Sequence, residues 1–236
     1  MQAVFLDDEQ KVKAFIETVS KPRLSKYLQQ TDGNDREALL LYHWNSQLSQ
    51  ALYLPLQSWE ISLRNKMNTF LSWKYGSKWP HDQRALRVLT KSETDKLSKT
   101  IHYQTQNRKS PPTTDQIVAG LSVGFWVSLL SKSYDIPFAW RYNLSSRVFK
   151  NDATLTRADA WARCDRLLDL RNRVAHHEPI FHLPLLDRRV DLESMLNGLC
   201  AGTQAYMASA CSFADIWAAR PATGSTDGGQ IALGQA

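Results

Sequence analysis

From Asp35 to Lys74 the chain keeps one rhythm. Leu40, Leu41, Trp44, Leu48, Ala51 and Leu52 precede Pro55, and Leu56, Glu60, Leu63, Met67, Phe70 and Lys74 follow it. Steps of three and four are the period of a helical face, whereas a strand needs alternation at two. The same spacing returns in Trp161, Cys164, Leu168, Arg171 and Ala175, and again from Leu192 through Leu196, Leu199, Thr203, Tyr206, Ala210 and Phe213 to Trp217. With no convincing strand pattern and no internal repeat, the spacing predicts an all-α fold. Pro55 has no amide hydrogen and its ring crowds the preceding turn, so a kink or break is expected there.

The remaining segments fit around these. Asp7 or Asp8 can cap a first helix through Val12, Phe15, Ile16 and Val19, Pro22 opens a second, and Thr31 to Asn34 form a turn. Residues 82–108 are polar and charged, with Leu86, Leu89, Leu97 and Ile101 as a contact face and lysines that either meet an RNA backbone or face water. Ser110 to Thr114 form a loop that caps a largely apolar helix running to Leu130. Residues 132–154 read as irregular. There the aromatic residues Tyr134, Phe138, Trp140 and Tyr142 surround Arg141, a mixture that can stack unpaired bases or pin a loop to a core. A single helix is expected from 187 to 219. The expected organisation is one domain over 1–220, with a helical extension at 1–33, a motif-bearing bundle at 34–182 and a C-terminal helix at 187–220. The Gly-, Ser- and Gln-rich 221–236 read as a disordered tail.

A net charge of +6 and a pI near 9.2 favour an anionic partner such as nucleic acid. Cys164, Cys200 and Cys211 are odd in number, lack metal-ligand spacing and read as reduced core residues of a cytoplasmic protein. The acidic start MQAVFLDDEQ does not read as a signal peptide. The longest apolar stretch, near 117–130, is too short to span a bilayer, so no membrane association is expected.

Chemistry concentrates in LRNRVAHHEPIF, residues 170–181. Arg171 stands on the apolar stripe where a leucine would be expected, and a guanidinium cannot shed its charge when desolvated. It therefore either has a carboxylate partner or lines a cleft. Glu60 lies on the stripe of its own helix, so it can pair with Arg171 or bridge to Arg64 four residues on. Asn172 and His176 share one helical face, while Arg171 and His176 lie roughly 140° apart on a straight helix. Both reach one ligand only if the helix ends there or a second subunit contributes. Pro179 supplies a stop, placing the histidines in the last turn.

Arginine, asparagine and, after a gap, histidine in RNRVAHHEPIF resemble the signature of HEPN domains, and the fuller string resembles their Abi-like (abortive infection) branch. SWEISLRNKMNTFL from Ser58, YGSKW from Tyr75 and GLSVGFWVSLLSKSYD from Gly120 fit the same branch in the same order, over roughly residues 38–182. The resemblance implies a HEPN-type helical bundle with extra N-terminal helices. It implies a homodimer with a composite active site, single-stranded or loop RNA as substrate, and phage defence or a toxin–antitoxin system as context. An antitoxin protein or small RNA would be the regulator. It also raises Glu60, Arg64 and Asn65 to supporting residues of the site.

No metal-ligand spacing accompanies the histidines, and no cofactor is implied. RNA cleavage without a metal needs a base for the 2′-OH, an acid for the leaving 5′-oxygen and a cation for the phosphorane. His176 is assigned as acid or base, Arg171 as the phosphate-holding cation, and Asn172 as the group that orients one of them. His177 is either a second catalytic group or a helix cap, and Glu178 stands beside it as a further candidate. Arg173, Arg141 and Trp140 are candidate RNA contacts. The expected products are a 2′,3′-cyclic phosphate and a 5′-hydroxyl. The competing expectation is a HEPN scaffold that binds RNA or nucleotide without cutting it.

Overall fold

The computed structural model describes residues 5–106 and 110–222, so the expected tail lies outside the described residues from 223 onwards. Among the described residues there is no strand, and the chain is all-α. Helix α1 (Glu9–Val19) starts where the Asp8 carboxylate accepts the Lys11 amide at 3.1 Å. Helix α2 (Lys21–Gln30) carries Pro22 in its first turn, where an amide would have no helical acceptor. Asp32 and Gly33 turn the chain with positive φ, and Asn34 Oδ1 then accepts the amides of Arg36 and Glu37 to start α3 (Asp35–Tyr75).

Helix α3 runs for 41 residues and continues through Pro55, so of the expected kink or break the break does not occur. Proline inside a helix costs about 3 kcal/mol. Ala51, Leu52, Leu56, Trp59 and Leu63 around it are all buried, and at about 1.5–3 kcal/mol per large side chain their burial outweighs that penalty. The buried ridge after Pro55 is Leu56, Trp59, Leu63, Met67 and Phe70, so Glu60 sits at its flank rather than on it.

Helices α4 (Gln83–Val88) and α5 (Lys91–Gln106) divide the polar segment, whose last two residues, 107 and 108, lie outside the described residues. The apolar stretch after the Thr113 capping box is two helices, α6 (Thr114–Gly120) and α7 (Val123–Ser128), not one. Leu121 and Ser122 between them are extended, which lets Leu121, Val123, Phe125, Trp126 and Val127 all bury. The segment expected to be irregular is mostly short helix: α8 (Asp135–Phe138), α9 (Trp140–Asn143) and a π turn at Leu144–Val148. Tyr134, Phe138 and Trp140 form a core with Phe70, whose centroid lies 4.7 Å from that of Trp140, while Tyr142 is exposed.

Helix α10 (Arg157–Ala175) buries Ala160, Cys164, Leu167, Leu170 and Val174. This ridge is rotated one position from the predicted stripe: Trp161 is 39% exposed and Arg171 lies beside the apolar row. The desolvation cost of a guanidinium explains the rotation. The expected long C-terminal helix is three: α11 (Leu185–Leu199), α12 (Ala201–Ala210) and α13 (Phe213–Ala218). It breaks at Cys200, which is extended, next to Gly198, where a Cβ would stand 3.1 Å from the Phe149 ring. Cys200 and Cys211 are partly exposed, so only Cys164 is a core cysteine, and burial pushes its thiol up to about 12.

The chain divides into two compact units. One holds the described residues up to Ala51, His177–His182 and those from Ser212 on. Within it Tyr27 packs on Phe181, and the Trp44 indole donates to the Ile216 carbonyl at 2.6 Å. The other holds Leu52–His176 and Leu183–Cys211, including the ring core and helices α10 and α11. Among the described residues no helix is long and apolar enough to cross a membrane.

Candidate functional site

Helix α10 is fixed against α11 before it reaches the residues of interest. Arg166 clasps Asp191 through Nε and Nη2, both at 2.8 Å, and Arg163 Nη1 donates to the Ser194 hydroxyl at 2.6 Å. Asp191 is 8% exposed, and a paired guanidinium fork suits such a carboxylate. Sequence reading missed this clasp. Its signal was present: Asp191 adjoins Leu192 and precedes Met195 by four, which puts a carboxylate on the buried row of α11.

One turn before α10 ends, Arg171 Nε donates to Glu60 Oε2 at 2.9 Å. The Arg171 side chain is 37% exposed and that of Glu60 24%, so the pair is half-buried. Of the two alternatives open for Glu60, the contact made is with Arg171; Arg64 Nε instead lies 3.4 Å from Asn65 Oδ1. Arg171 lines a cleft of about 290 Å³ with Tyr53, Gln57, Glu60, Arg64 and Val174. Glu60 occupies only Nε, so both terminal nitrogens of the guanidinium are without a protein acceptor among the described residues.

Helix α10 ends at Ala175, earlier than Pro179 requires. His176 is the capping residue, its amide donating to the Asn172 carbonyl at 2.9 Å, and His177 takes a left-handed backbone with φ 56°. The histidines therefore lie at and beyond the helix end, not in its last turn. A left-handed residue just past a helix turns the chain away and satisfies the final carbonyls, and histidine tolerates that conformation better than most side chains. Asn172 and His176 are exposed and are not among the residues that line the cleft. His177 and Glu178 are exposed as well, and Arg23 Nη1 donates to the His177 carbonyl at 3.2 Å.

The segment after the histidines is pinned by a residue the sequence did not flag. Buried Asn45 accepts the amides of Ile180 and Phe181 at 2.7 and 3.1 Å through one Oδ1. Nothing in the spacing of α3 marks Asn45 as more than a polar residue in a core row. Arg173 bonds Asp169 one turn back at 3.1 Å on the helix surface.

Trp140 is corrected as a candidate RNA contact. It is 1% exposed and its indole donates to the Leu129 carbonyl at 2.9 Å, so no base can stack on it. Its neighbour Arg141 is exposed, with the guanidinium 5.6 Å from the Tyr142 ring centroid. Among the described residues no three His, Cys, Asp or Glu side chains converge in a way that could hold a metal ion. Comparison with family models, with curated proteins and with solved structures yields no match.

Proposed function

We propose that this chain is an endoribonuclease of the Abi-like HEPN type that cleaves single-stranded or loop RNA without a metal ion. The observation that carries the reading is the state of Arg171. Glu60 holds the guanidinium by Nε at the wall of an open cleft, and its two terminal nitrogens are left to fork onto a phosphate. At the cleft wall those two nitrogens are open to water or to a ligand, and their fork matches two phosphate oxygens.

In the proposed reaction the substrate 2′-oxygen attacks the adjacent phosphorus and the P–O5′ bond breaks, giving a 2′,3′-cyclic phosphate and a 5′-hydroxyl. One imidazole takes the 2′-OH proton and an imidazolium gives a proton to O5′. Arg171 offsets the charge that builds on the phosphorane oxygens. Each chain carries one His176, so the reaction is assigned to a homodimer in which His176 of each subunit faces a shared cleft. Asn172, one turn before His176 on the same face, would orient the imidazole or the phosphate. By the same resemblance the enzyme would act in the cytoplasm, in phage defence or as a toxin restrained by a protein or small RNA.

One observation favours a second reading. Asn172 and His176 are exposed but do not line the cleft that holds Arg171, an arrangement that also fits a protein that binds RNA or nucleotide without cutting it. Incubating the full chain with unstructured RNA in EDTA separates the two. Cleavage to cyclic-phosphate ends, abolished in both Arg171→Ala and His176→Ala, supports the nuclease. RNA binding without cleavage, unchanged in His176→Ala, supports the scaffold.

A further inference from the structure

Helix α10 opens with a cation where a helix tolerates one least. Arg157 is its first residue, at the end where unpaired amides leave partial positive charge. The side chain is 18% exposed, and its acceptors are distant: the Leu130 carbonyl is 3.4 Å from Nη1 and Asp135 Oδ2 is 3.7 Å from Nε. The Nε atom is buried with no hydrogen-bond partner. Ordinary N–H···O bonds measure about 2.7–3.2 Å, so this guanidinium is held in place yet poorly satisfied. A local violation of this kind calls for a compensating group.

Space for that group lies beside it. Arg157 lines a cavity of about 440 Å³ together with Arg141, Ser145, Ala158 and Asp135. Arg141 pairs with no carboxylate among the described residues, and its guanidinium lies 5.6 Å from the adjacent Tyr142 ring centroid. Ser145 likewise lines the cavity with its hydroxyl unengaged, whereas the Thr154 and Thr156 hydroxyls already donate to Asp152 and Asp159. The amides of Arg157 and Ala158 are first-turn donors with no helical acceptor. Two guanidinium groups thus face a single carboxylate, that of Asp135, which stands against Arg157.

We infer that this cavity is a phosphate-binding site, built to take a phosphate dianion either free or as the terminal phosphate of a nucleotide. A tetrahedral anion has enough oxygens to accept from both guanidinium groups, the Ser145 hydroxyl and the first-turn amides at once, and it reverses the unfavourable charge at the helix start. The site does not depend on the ribonuclease reading. Arg157 precedes Arg171 by fourteen residues, about 21 Å along the helix at 1.5 Å per residue, so one phosphate cannot serve both.

Titration calorimetry on the full chain with inorganic phosphate, adenosine 5′-monophosphate and adenosine tests the inference. Both phosphate species should bind with one site per chain and adenosine should not. Tighter binding of the monophosphate identifies a nucleotide as the ligand, and equal binding identifies free phosphate. Arg141 is exposed, so Arg141→Gln should fold with an unchanged melting temperature and weaken phosphate binding about ten- to hundredfold. Arg171→Ala should leave that affinity where it was. The inference is overturned if neither phosphate species binds at millimolar concentration, if adenosine binds as well as its monophosphate, if Arg141→Gln binds like the parent chain, or if Arg171→Ala removes the binding.

Discussion

Arg171 Nε meets Glu60 Oε2 at 2.9 Å, joining α10 to α3 across 111 residues of sequence. The bond fixes one edge of the guanidinium and directs the other to the cleft. Such a half-exposed pair couples by roughly 0.5–1 kcal/mol. In a double-mutant cycle of Glu60→Ala and Arg171→Ala, urea denaturation should return a coupling of that size. RNA cleavage should fall in Glu60→Ala by less than in Arg171→Ala, since the former loosens a cation that the latter deletes. Equal loss in both variants would mean that Glu60 itself touches the substrate.

His177 separates capping from chemistry. Its left-handed backbone, at φ 56°, is one that a non-glycine residue adopts at a cost of about 1 kcal/mol. His177→Gly should therefore raise stability by up to about that amount, read as a higher melting temperature, and leave cleavage intact. His177→Val should lower the melting temperature, because a β-branched side chain fits that conformation poorly. Loss of cleavage in a His177→Gly protein of undiminished stability would assign the imidazole a catalytic part.

The clasp between Arg166 and Asp191 positions α10 without touching any candidate ligand. Asp191→Asn removes the charge and half the acceptor capacity from a largely buried partner. It should destabilise the protein by roughly 2 kcal/mol in urea denaturation. Cleavage per folded molecule should change little. A variant as stable as the parent would show that the fork contributes no net stability.

Glu93 sets an acid limit. Burial alone raises its pKa, but hydrogen bonds from Thr90 and Tyr134, with the nearby Lys96 cation, outweigh that and hold its carboxyl below the usual 4.5. A depressed folded-state value means that its stabilising contribution is full above the unfolded value and disappears as pH falls through the folded one. Stability of the parent should thus drop as pH is lowered below about 4.5, and Glu93→Gln should show a shallower drop over that window. Identical slopes for the two proteins would remove Glu93 from the account.

How much of this was legible beforehand varied with the kind of interaction. The all-α class, the Asp8 cap and the turn at Asp32–Gly33 depend on neighbours within a few residues, and spacing shows them directly. The chemical cluster at 171–178 was legible as residue types, though the partner of Glu60 was not. Helix ends were harder to read: α3 continues through Pro55 without a break, whereas the expected long helices break at Leu121, Cys200 and Cys211. In each case local propensity of a few kcal/mol yields to how many large side chains a given path can bury.

Spacing and composition alone make this chain helical and basic and set arginine, asparagine and histidine around one helix end, because both are local properties. Packing in three dimensions is what gives Arg171 to Glu60, sets Asn45 on Ile180 and Phe181, walls in Trp140 and leaves Arg157 half-satisfied at a cavity. Those outcomes turn on desolvation. Whether a charged or aromatic group faces water, a partner or a core is fixed by elements far away in the chain, and no spacing rule carries that information.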